Sequence, residues 1–142
     1  MRHLCVMVVW VCFALGGLAQ QPATTDSPLA HDPVMAKQGD TYYLFATGQG
    51  VSVMSSKDLK TWKFEKPVFT EAPQWAVETV KEYKGHTWAP DIIFHNGLYH
   101  LFYSCSAFAK NTSAIGHATN PTLDPADPNF KWTDHGLSLI HI

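Results

Sequence analysis

Charged side chains are scarce in this 142-residue chain, where Lys and Arg number 10 and Asp and Glu number 12. The two signs nearly cancel, and the basic residues form no run. The chain therefore lacks the positive surface typical of nucleic-acid binding, and we predict no nucleic-acid partner. An apolar fraction of 46% excludes a disordered chain, and the length suits one domain.

Cysteine is also scarce, and Cys5 and Cys12 lie in a segment that we predict to be removed. Residues 1–19 join a short basic start to an apolar run and a small-residue cleavage site at Gly17 to Ala19. This layout is typical of a secretory signal peptide, since the run is shorter than a membrane span of about 20 residues. We predict a secreted or periplasmic protein with no membrane span after cleavage; an uncleaved anchor is the alternative. Cys105 is expected in the core.

Patterns for metal binding and for long helices are missing as well. Eight His are present, but without paired ligand spacing, and no CxxC occurs, so we predict no metal held by this chain. The segment from Trp75 to Tyr83 could form a short helix. Its β-branched Val77, Thr79 and Val80 favour a loop instead. Aromatic residues at 13% favour β-structure.

The most informative feature that the chain does have is an internal repeat. Each copy opens with an Asp-containing motif, crosses a turn and enters an aromatic strand: Asp32–Met35, Gly39–Asp40 and Thr41–Ala46, then Pro90–Phe94, Asn96–Gly97 and Leu98–Ser104. Asn-Gly between apolar runs is a strong hairpin signal. Asp32 and Asp91 are 59 residues apart, whereas Tyr42 and Tyr99 are 57 apart. We interpret Asp91 as the residue of the second copy that matches Asp32.

Each copy continues through a third strand and a polar turn to a short strand with Trp62 or Trp132. Four short strands in about 60 residues predict an all-β fold of propeller blades. Because two blades do not close a propeller, we predict that residues 30–136 are the N-terminal part of a larger domain, preceded by a polar segment at 20–29. Residues 137–142 break the pattern. We predict a non-native tail there, with a buried strand as the alternative.

Carboxylates and aromatic side chains near the strand starts are the candidates for function. Asp32 would face the channel of a propeller, a confined and partly dry place where its pKa could be tuned for general-base catalysis; a turn cap is the alternative. Asp91 would line the channel or have a structural role. Trp88 offers a flat face that can stack on a sugar ring, although a core position is the commoner role for Trp. Phe108 lies in a polar loop of the second copy, where an exposed aromatic ring is a weak signal of binding.

Together these motifs resemble the family 43 glycoside hydrolases, above all the endo-1,5-α-L-arabinanases, over about residues 30–136. The resemblance rests on His31–Pro33, Gly39–Gly48, Ser56–Leu59 with Trp62, Trp88–Ile92 and Asn111–Gly116. It implies a five-bladed β-propeller, of which about the first two blades are present. It also implies that the longer parent hydrolyses α-1,5-L-arabinofuranosidic bonds of arabinan with inversion, and that this fragment alone is inactive.

The same resemblance assigns the general base to Asp32. Contacts with the sugar substrate are implied for His31, Trp88, Phe108, Lys110 and Asn111. The general acid and a third carboxylate would lie in later blades, as would the residues needed for a central calcium ion, so no cofactor is expected in this chain.

Two alternatives to an endo-acting arabinanase stay open. One is an exo-acting arabinofuranosidase or β-xylosidase of the same family, since the loops that would block one end of a groove lie mostly outside this chain. Ala107 and Ala109 replace the Ser and Gly common around the loop Phe, which also leaves substrate choice open. The other alternative is a non-catalytic sugar-binding propeller, against which the presence of Asp32 argues.

Overall fold

The computed structural model describes residues 23–138. The predicted signal peptide and residues 139–142 of the predicted tail lie outside the described residues. Within 23–138 the chain forms ten strands and one short helix. They are β1 (Thr24–Thr25), β2 (Val34–Gln38), β3 (Thr41–Ala46), β4 (Gly48–Gln49), β5 (Ser52–Ser56), β6 (Trp62–Phe64), α1 (Gln74–Thr79), β7 (His86–His95), β8 (Leu98–Ser106), β9 (Ser113–Asn120) and β10 (Thr133–Leu137).

The first sheet, blade 1, is antiparallel with the strand order β1-β6-β5-β3-β2. Its tight turn at Gly39, where φ is +57°, pairs Gln38 of β2 with Thr41 of β3. A positive φ costs glycine little, which explains its place in this turn. The predicted order of four strands, β2, β3, β5 and β6, is confirmed. β1, which lies in the segment predicted to precede the domain, adds an edge strand against β6.

The second sheet, blade 2, has the order β10-β9-β8-β7-β4. The predicted hairpin at Asn96 and Gly97 is confirmed, and both residues have positive φ, +49° and +80°, as a type I′ turn requires. β4 leaves blade 1 after β3 and pairs with the start of β7, so that Gly48 lies opposite Thr87. This short strand ties the two blades together at one end.

Among residues 23–138, the larger of two apolar clusters lies between the two blades, and the smaller one lies within blade 1. β3 contributes Tyr43 and Phe45, and β8 contributes Leu101 and Tyr103. Because alternate residues of a strand share a face, these four side chains lie on the facing sides of the two sheets. Burial of each large apolar side chain stabilises the fold by about 1.5–3 kcal/mol. This contact fixes one blade against the other and so fixes the strand starts that carry the candidate site.

Cys105 lies in this core, fully buried and without a disulfide partner. The prediction of a core thiol is therefore confirmed. Burial raises the pKa of the thiol to about 11, so the side chain stays protonated at neutral pH and behaves as a small apolar residue.

The prediction of a loop over Trp75–Tyr83 is wrong, because α1 spans Gln74–Thr79. The low helix propensity of its β-branched residues is overridden by packing. Ala76 is fully buried against the core, and the indole Nε1 of Trp75 donates a hydrogen bond to Asp134 of β10 at 3.0 Å. The helix is shorter than two turns. Its last residue is Thr79, because the backbone of Val80 is extended.

The match between Asp32 and Asp91 is also wrong. In the hairpin of blade 1, Val34 lies opposite Phe45. In the hairpin of blade 2, Asp91 lies opposite Phe102. The hairpins superpose at a constant spacing of 57 residues, which aligns Asp91 with Val34. Asp91 therefore lies two residues, or about 6.6 Å, further along its strand than Asp32.

The residue that occupies the place of Asp32 in blade 2 is Ala89. Both residues precede a proline, and both have positive φ, +50° for Asp32 and +41° for Ala89. The pairing of β7 with β8 is irregular between Trp88 and Asp91. This irregularity separates the start of β7 from its regular part. The spacing of 59 has another cause: Asp32 precedes its proline, whereas Asp91 follows the corresponding Pro90, so the two Asp residues are not equivalent.

At the other end of the described range, β10 includes Leu137, which pairs with Gly116. The predicted boundary at residue 136 thus falls inside a strand. No helix among residues 23–138 is long and apolar enough to cross a membrane.

Candidate active site

The segments that precede β2 and β7 lie at the same end of the two blades. The loop at residues 107–112, between β8 and β9, returns to this end because Cys105 of β8 lies opposite Thr87 of β7. One hydrogen bond joins the blades here, from the backbone N–H of Ala89 to the hydroxyl oxygen of Thr47 at 2.9 Å. The strand starts that carry His31, Asp32 and Trp88 and the loop that carries Phe108, Lys110 and Asn111 thus lie at one end of the fold, whereas Asp91 lies further along β7.

Asp32 is held by the side chains of two neighbours. Its Oδ2 accepts a hydrogen bond from the hydroxyl of Thr47 at 2.9 Å and lies 2.7 Å from Nδ1 of His31. Since an ionised carboxylate can only accept, the His31 nitrogen is the donor. The backbone N–H of Thr47 donates to the carbonyl of His31 at 2.9 Å. Backbone and side chains together fix the direction of the carboxylate.

The charge of Asp32 is set by these hydrogen bonds. The bond from Thr47 is the main cause that holds the pKa of the carboxyl group below its usual value; slight burial opposes it, and His31 acts in the same direction as Thr47. Asp32 is therefore ionised at neutral and mildly acidic pH, as a general base must be. The confined, partly dry surroundings predicted for it are not formed by residues 23–138, because the side chain is 42% exposed beside only two blades.

Trp88 lies next to Ala89 at the start of β7 and is half-buried. Its Nε1 donates to Nδ1 of His86 at 2.8 Å. This bond holds the indole outside the core between the blades. A core position is the usual one for Trp, so Trp88 is an exception. Trp88 therefore keeps part of its aromatic surface accessible, next to Ala89, whose N–H bonds to the Thr47 hydroxyl.

Asp91 belongs to a different part of blade 2. Its Oδ1 accepts a hydrogen bond from the backbone N–H of the adjacent Ile92 at 2.9 Å. The side chain is exposed and lines a shallow cavity of about 330 Å³ together with Ala89, Phe102 and Ser104. Its carboxylate makes no bond to the residues around Asp32 in the described range, so Asp91 stands apart from that cluster.

The loop at residues 107–112 presents one strongly exposed aromatic ring, that of Phe108, which is 88% exposed. Asn111 is also exposed. Lys110 is held in two ways: its backbone N–H donates to the carbonyl of Ala107 at 3.1 Å, and its ammonium group pairs with Glu82 at 3.3 Å. Phe108 and Asn111 are thus available to a ligand, whereas the backbone N–H of Lys110 is engaged.

Histidines gather on blade 2, but away from Asp32. His100 and His117 stack with their ring nitrogens 3.0 Å apart, and His117 also stacks on His135. Burial and the neighbouring His135 and His100 lower the pKa of His117. No group of three His, Cys, Asp or Glu among residues 23–138 has the geometry to hold a metal ion.

Thr47 was not among the residues singled out from the sequence, although it touches both blades. The regular pairing of this hairpin ends at Val34 and Phe45. Beyond it the backbone N–H of Thr47 donates to the carbonyl of His31, so Thr47 lies across from His31 and only its hydroxyl reaches Asp32. The hairpin register therefore gives no signal for the contact between Thr47 and the carboxylate.

Known proteins are similar to this chain in sequence and in fold. The sequence model of glycosyl hydrolases family 43 matches residues 26–140. A Cellvibrio japonicus protein named extracellular exo-α-(1→5)-L-arabinofuranosidase ArbA is 51% identical over 109 residues, which are 77% of this chain and 31% of the relative. The extracellular endo-α-(1→5)-L-arabinanase 1 of Bacillus subtilis is 41% identical over 115 residues, 78% of this chain and 34% of the relative.

A solved structure, the exo-1,5-α-L-arabinanase from a bovine ruminal metagenomic library, matches with a TM-score of 0.77 and 51% identity over 82% of this chain and 39% of that one. The fold therefore defines two blades of a β-propeller with a carboxylate at the start of an inner strand. The chain belongs to glycosyl hydrolases family 43. It spans about a third of the length of the curated relatives that it matches.

Proposed function

We propose that this chain is the N-terminal part of a secreted glycoside hydrolase that cleaves α-1,5-L-arabinofuranosidic bonds of arabinan with inversion, and that Asp32 is its general base. The observation that carries the proposal is the carboxylate of Asp32, ionised, oriented by Thr47 and His31, and adjacent through Ala89 to an accessible Trp88. The relatives named above act on α-1,5-linked arabinose by their printed names, and two of them are named extracellular.

The geometry of Asp32 suits the activation of water. Both side-chain hydrogen bonds go to Oδ2, and Oδ1 has no partner among residues 23–138. A water on Oδ1 would transfer a proton to Asp32 while its oxygen attacks the anomeric carbon from the face opposite the leaving sugar. The leaving oxygen would take a proton from a general acid, for which the proposal requires a residue outside the described range. The rings of Trp88 and Phe108 would stack on arabinose units.

The surface of blade 2 supports the proposal of a longer protein. The sheet face that points away from blade 1 exposes apolar side chains, among them Ile93 at 58% and Ile115 at 43%, with Phe102 half-buried between them. An apolar sheet face of this kind is normally covered by another layer of structure. A third blade would cover it, and with further blades would supply the general acid, the third carboxylate and residues for a central calcium ion.

A second candidate is exo-action on the same bonds. The observation that favours it is sequence identity. The two relatives named as exo-acting are 51% identical to this chain, whereas the endo-arabinanase of Bacillus subtilis is 41% identical. Endo-action needs a groove open at both ends, and exo-action needs one end blocked. The exposed loop at residues 107–112 would border that groove, and it carries Ala107 and Ala109 on either side of Phe108.

The test uses the full-length protein that contains this chain, incubated with linear α-1,5-arabinan. We expect release of arabinose or short oligosaccharides, and ¹H NMR of the first product should show the anomer of inverted configuration. Mixed oligosaccharides indicate endo-action, and a single small product from the start indicates exo-action. The 142-residue chain alone is the control and should be inactive. A full-length protein that binds arabinan without cleaving it would contradict the proposal and favour a sugar-binding propeller.

A further inference from the structure

We propose that Thr47 is a positioning residue that holds the carboxylate of Asp32 in its working direction and locks it to the start of blade 2. The inference rests on the proposed role of Asp32 as general base. It goes beyond that role because it assigns a function to a side chain outside the sugar-binding and acid–base groups.

The first support is that one hydroxyl group serves both blades. Oγ1 of Thr47 donates to Oδ2 of Asp32 and accepts from the backbone N–H of Ala89, each at 2.9 Å. A hydroxyl has one proton to donate, so acceptance of the Ala89 N–H directs that proton towards the carboxylate. The chain of bonds therefore has a single direction, from Ala89 through Thr47 to Asp32.

The second support is that the hydroxyl joins two backbone positions of unusual conformation. Asp32 and Ala89 have φ values of +50° and +41°, a region that side-chain-bearing residues enter at a cost and keep only when their surroundings hold them there. Because both residues are bonded to Thr47, the same group holds the start of β2 and the start of β7. Trp88, the proposed stacking residue, is the immediate neighbour of Ala89.

The third support is electrostatic. The bond from Thr47 is the largest cause that lowers the pKa of Asp32, since a donated hydrogen bond favours the charged form. His31 is the only other titratable group that acts on this carboxylate among residues 23–138, and it also lowers the pKa. Removal of the Thr47 hydroxyl should therefore raise the pKa of Asp32 even with His31 in place.

The experiment compares Thr47→Val, which keeps the side-chain shape without the hydroxyl, with Thr47→Ser, which keeps the hydroxyl. Both are made in the full-length protein. For Thr47→Val we expect kcat/KM on arabinan to fall about ten- to a hundredfold, mainly through kcat, since a hydrogen bond to a charged group is lost. The acid limb of the profile of kcat/KM against pH should move to higher pH, because the raised pKa of Asp32 means that the base is already protonated at a higher pH. Thr47→Ser should keep the wild-type limb.

A second readout does not need activity. The ¹³C signal of the Asp32 carboxyl group, assigned with Asp32→Asn, is titrated in the substrate-free protein. The wild-type and Thr47→Ser proteins should titrate below the ordinary value for Asp, and Thr47→Val above the wild type. A Thr47→Val protein with an unchanged carboxyl titration and acid limb would overturn the proposal, and so would a Thr47→Ser protein as impaired as Thr47→Val.

The two proposals fail in different ways. If the wild-type protein does not hydrolyse arabinan, the proposed function fails, and the carboxyl titration still decides the role of Thr47. If Thr47→Val does not fold, the titration of the Asp32 carboxyl group in the wild-type protein tests the role of Thr47. A pKa below the ordinary Asp value supports that role, and a pKa at or above it overturns the proposal.

Discussion

Asp32 in blade 1 and Ala89 in blade 2 occupy the same position of the repeat. Each lies two residues before the first regular pair of its hairpin. Each is followed by a proline and has positive φ. One carries a carboxylate and the other a methyl group. The unusual backbone is therefore a property of the repeated fold, whereas the chemistry is present in only one of the two copies.

The hydroxyl residues on the adjacent strands differ as well. Thr47, whose backbone pairs with His31, bonds through its hydroxyl to both Asp32 and Ala89. Ser104 is the corresponding residue of blade 2, but its hydroxyl makes no such bond within residues 23–138. It lines the shallow cavity beside Asp91. The hydroxyl of blade 1 thus serves both strand starts, and blade 2 contributes a backbone N–H instead of a second polar side chain.

The largest effect is expected from removal of the carboxylate. In the full-length protein, Asp32→Asn should lower kcat on arabinan by about 10²–10⁴-fold, because an amide cannot accept the proton of the attacking water. Steady-state kinetics with unchanged circular dichroism would check this. Asp91→Asn is the matched control, since among residues 23–138 its carboxylate bonds only the adjacent backbone N–H. We expect a loss of about tenfold or less, and an equal loss in both variants would contradict the distinction between the two carboxylates.

A smaller effect is expected at Trp88, which by register corresponds to His31. Trp88→Ala should raise KM for arabino-oligosaccharides by about threefold to tenfold, the equivalent of one lost stacking contact, with kcat nearly unchanged. Trp88→Phe keeps an aromatic face and should recover most of the affinity. A normal KM for Trp88→Ala would exclude it from the sugar site.

The smallest effect concerns the backbone of Ala89. Glycine adopts positive φ without steric cost, so Ala89→Gly should stabilise the protein by about 0.5–1 kcal/mol in urea unfolding. Ala36, in the regular part of β2, is the control. Ala36→Gly should have the opposite sign and destabilise by at least about 0.5 kcal/mol. If both variants are destabilised equally, the positive φ of Ala89 is not under strain.

Much of the fold could be predicted from local patterns. The Asn96–Gly97 turn and the alternating aromatic strands predict four strands in each blade. The apolar run around Cys105 predicts that its thiol is buried. The helix α1 could not be predicted in this way, because its β-branched residues disfavour a helix and only contacts with the core, made by Ala76 and Trp75, stabilise it.

The site was predicted less completely than the fold. His31 contacts Asp32, and Trp88 adjoins Ala89, which bonds to Thr47; their roles stay predictions. Asp91 does not match Asp32, because Asp32 precedes its proline and Asp91 follows the corresponding Pro90. Thr47 was missed because a threonine at the end of a strand is ordinary by composition. Its contact with the carboxylate arises only in the fold, where its backbone bonds to His31 and its hydroxyl bonds to Asp32.

The central claim, that Asp32 activates the attacking water, is tested most directly by chemical rescue of Asp32→Ala in the full-length protein. Azide is already an anion and needs no base, so it can replace water where the carboxylate has been removed. The account predicts that cleavage of arabino-oligosaccharides is lost in water and partly restored by azide, with a glycosyl azide of inverted configuration as product. An Asp32→Ala protein that hydrolyses its substrate at the wild-type rate without azide would contradict the claim.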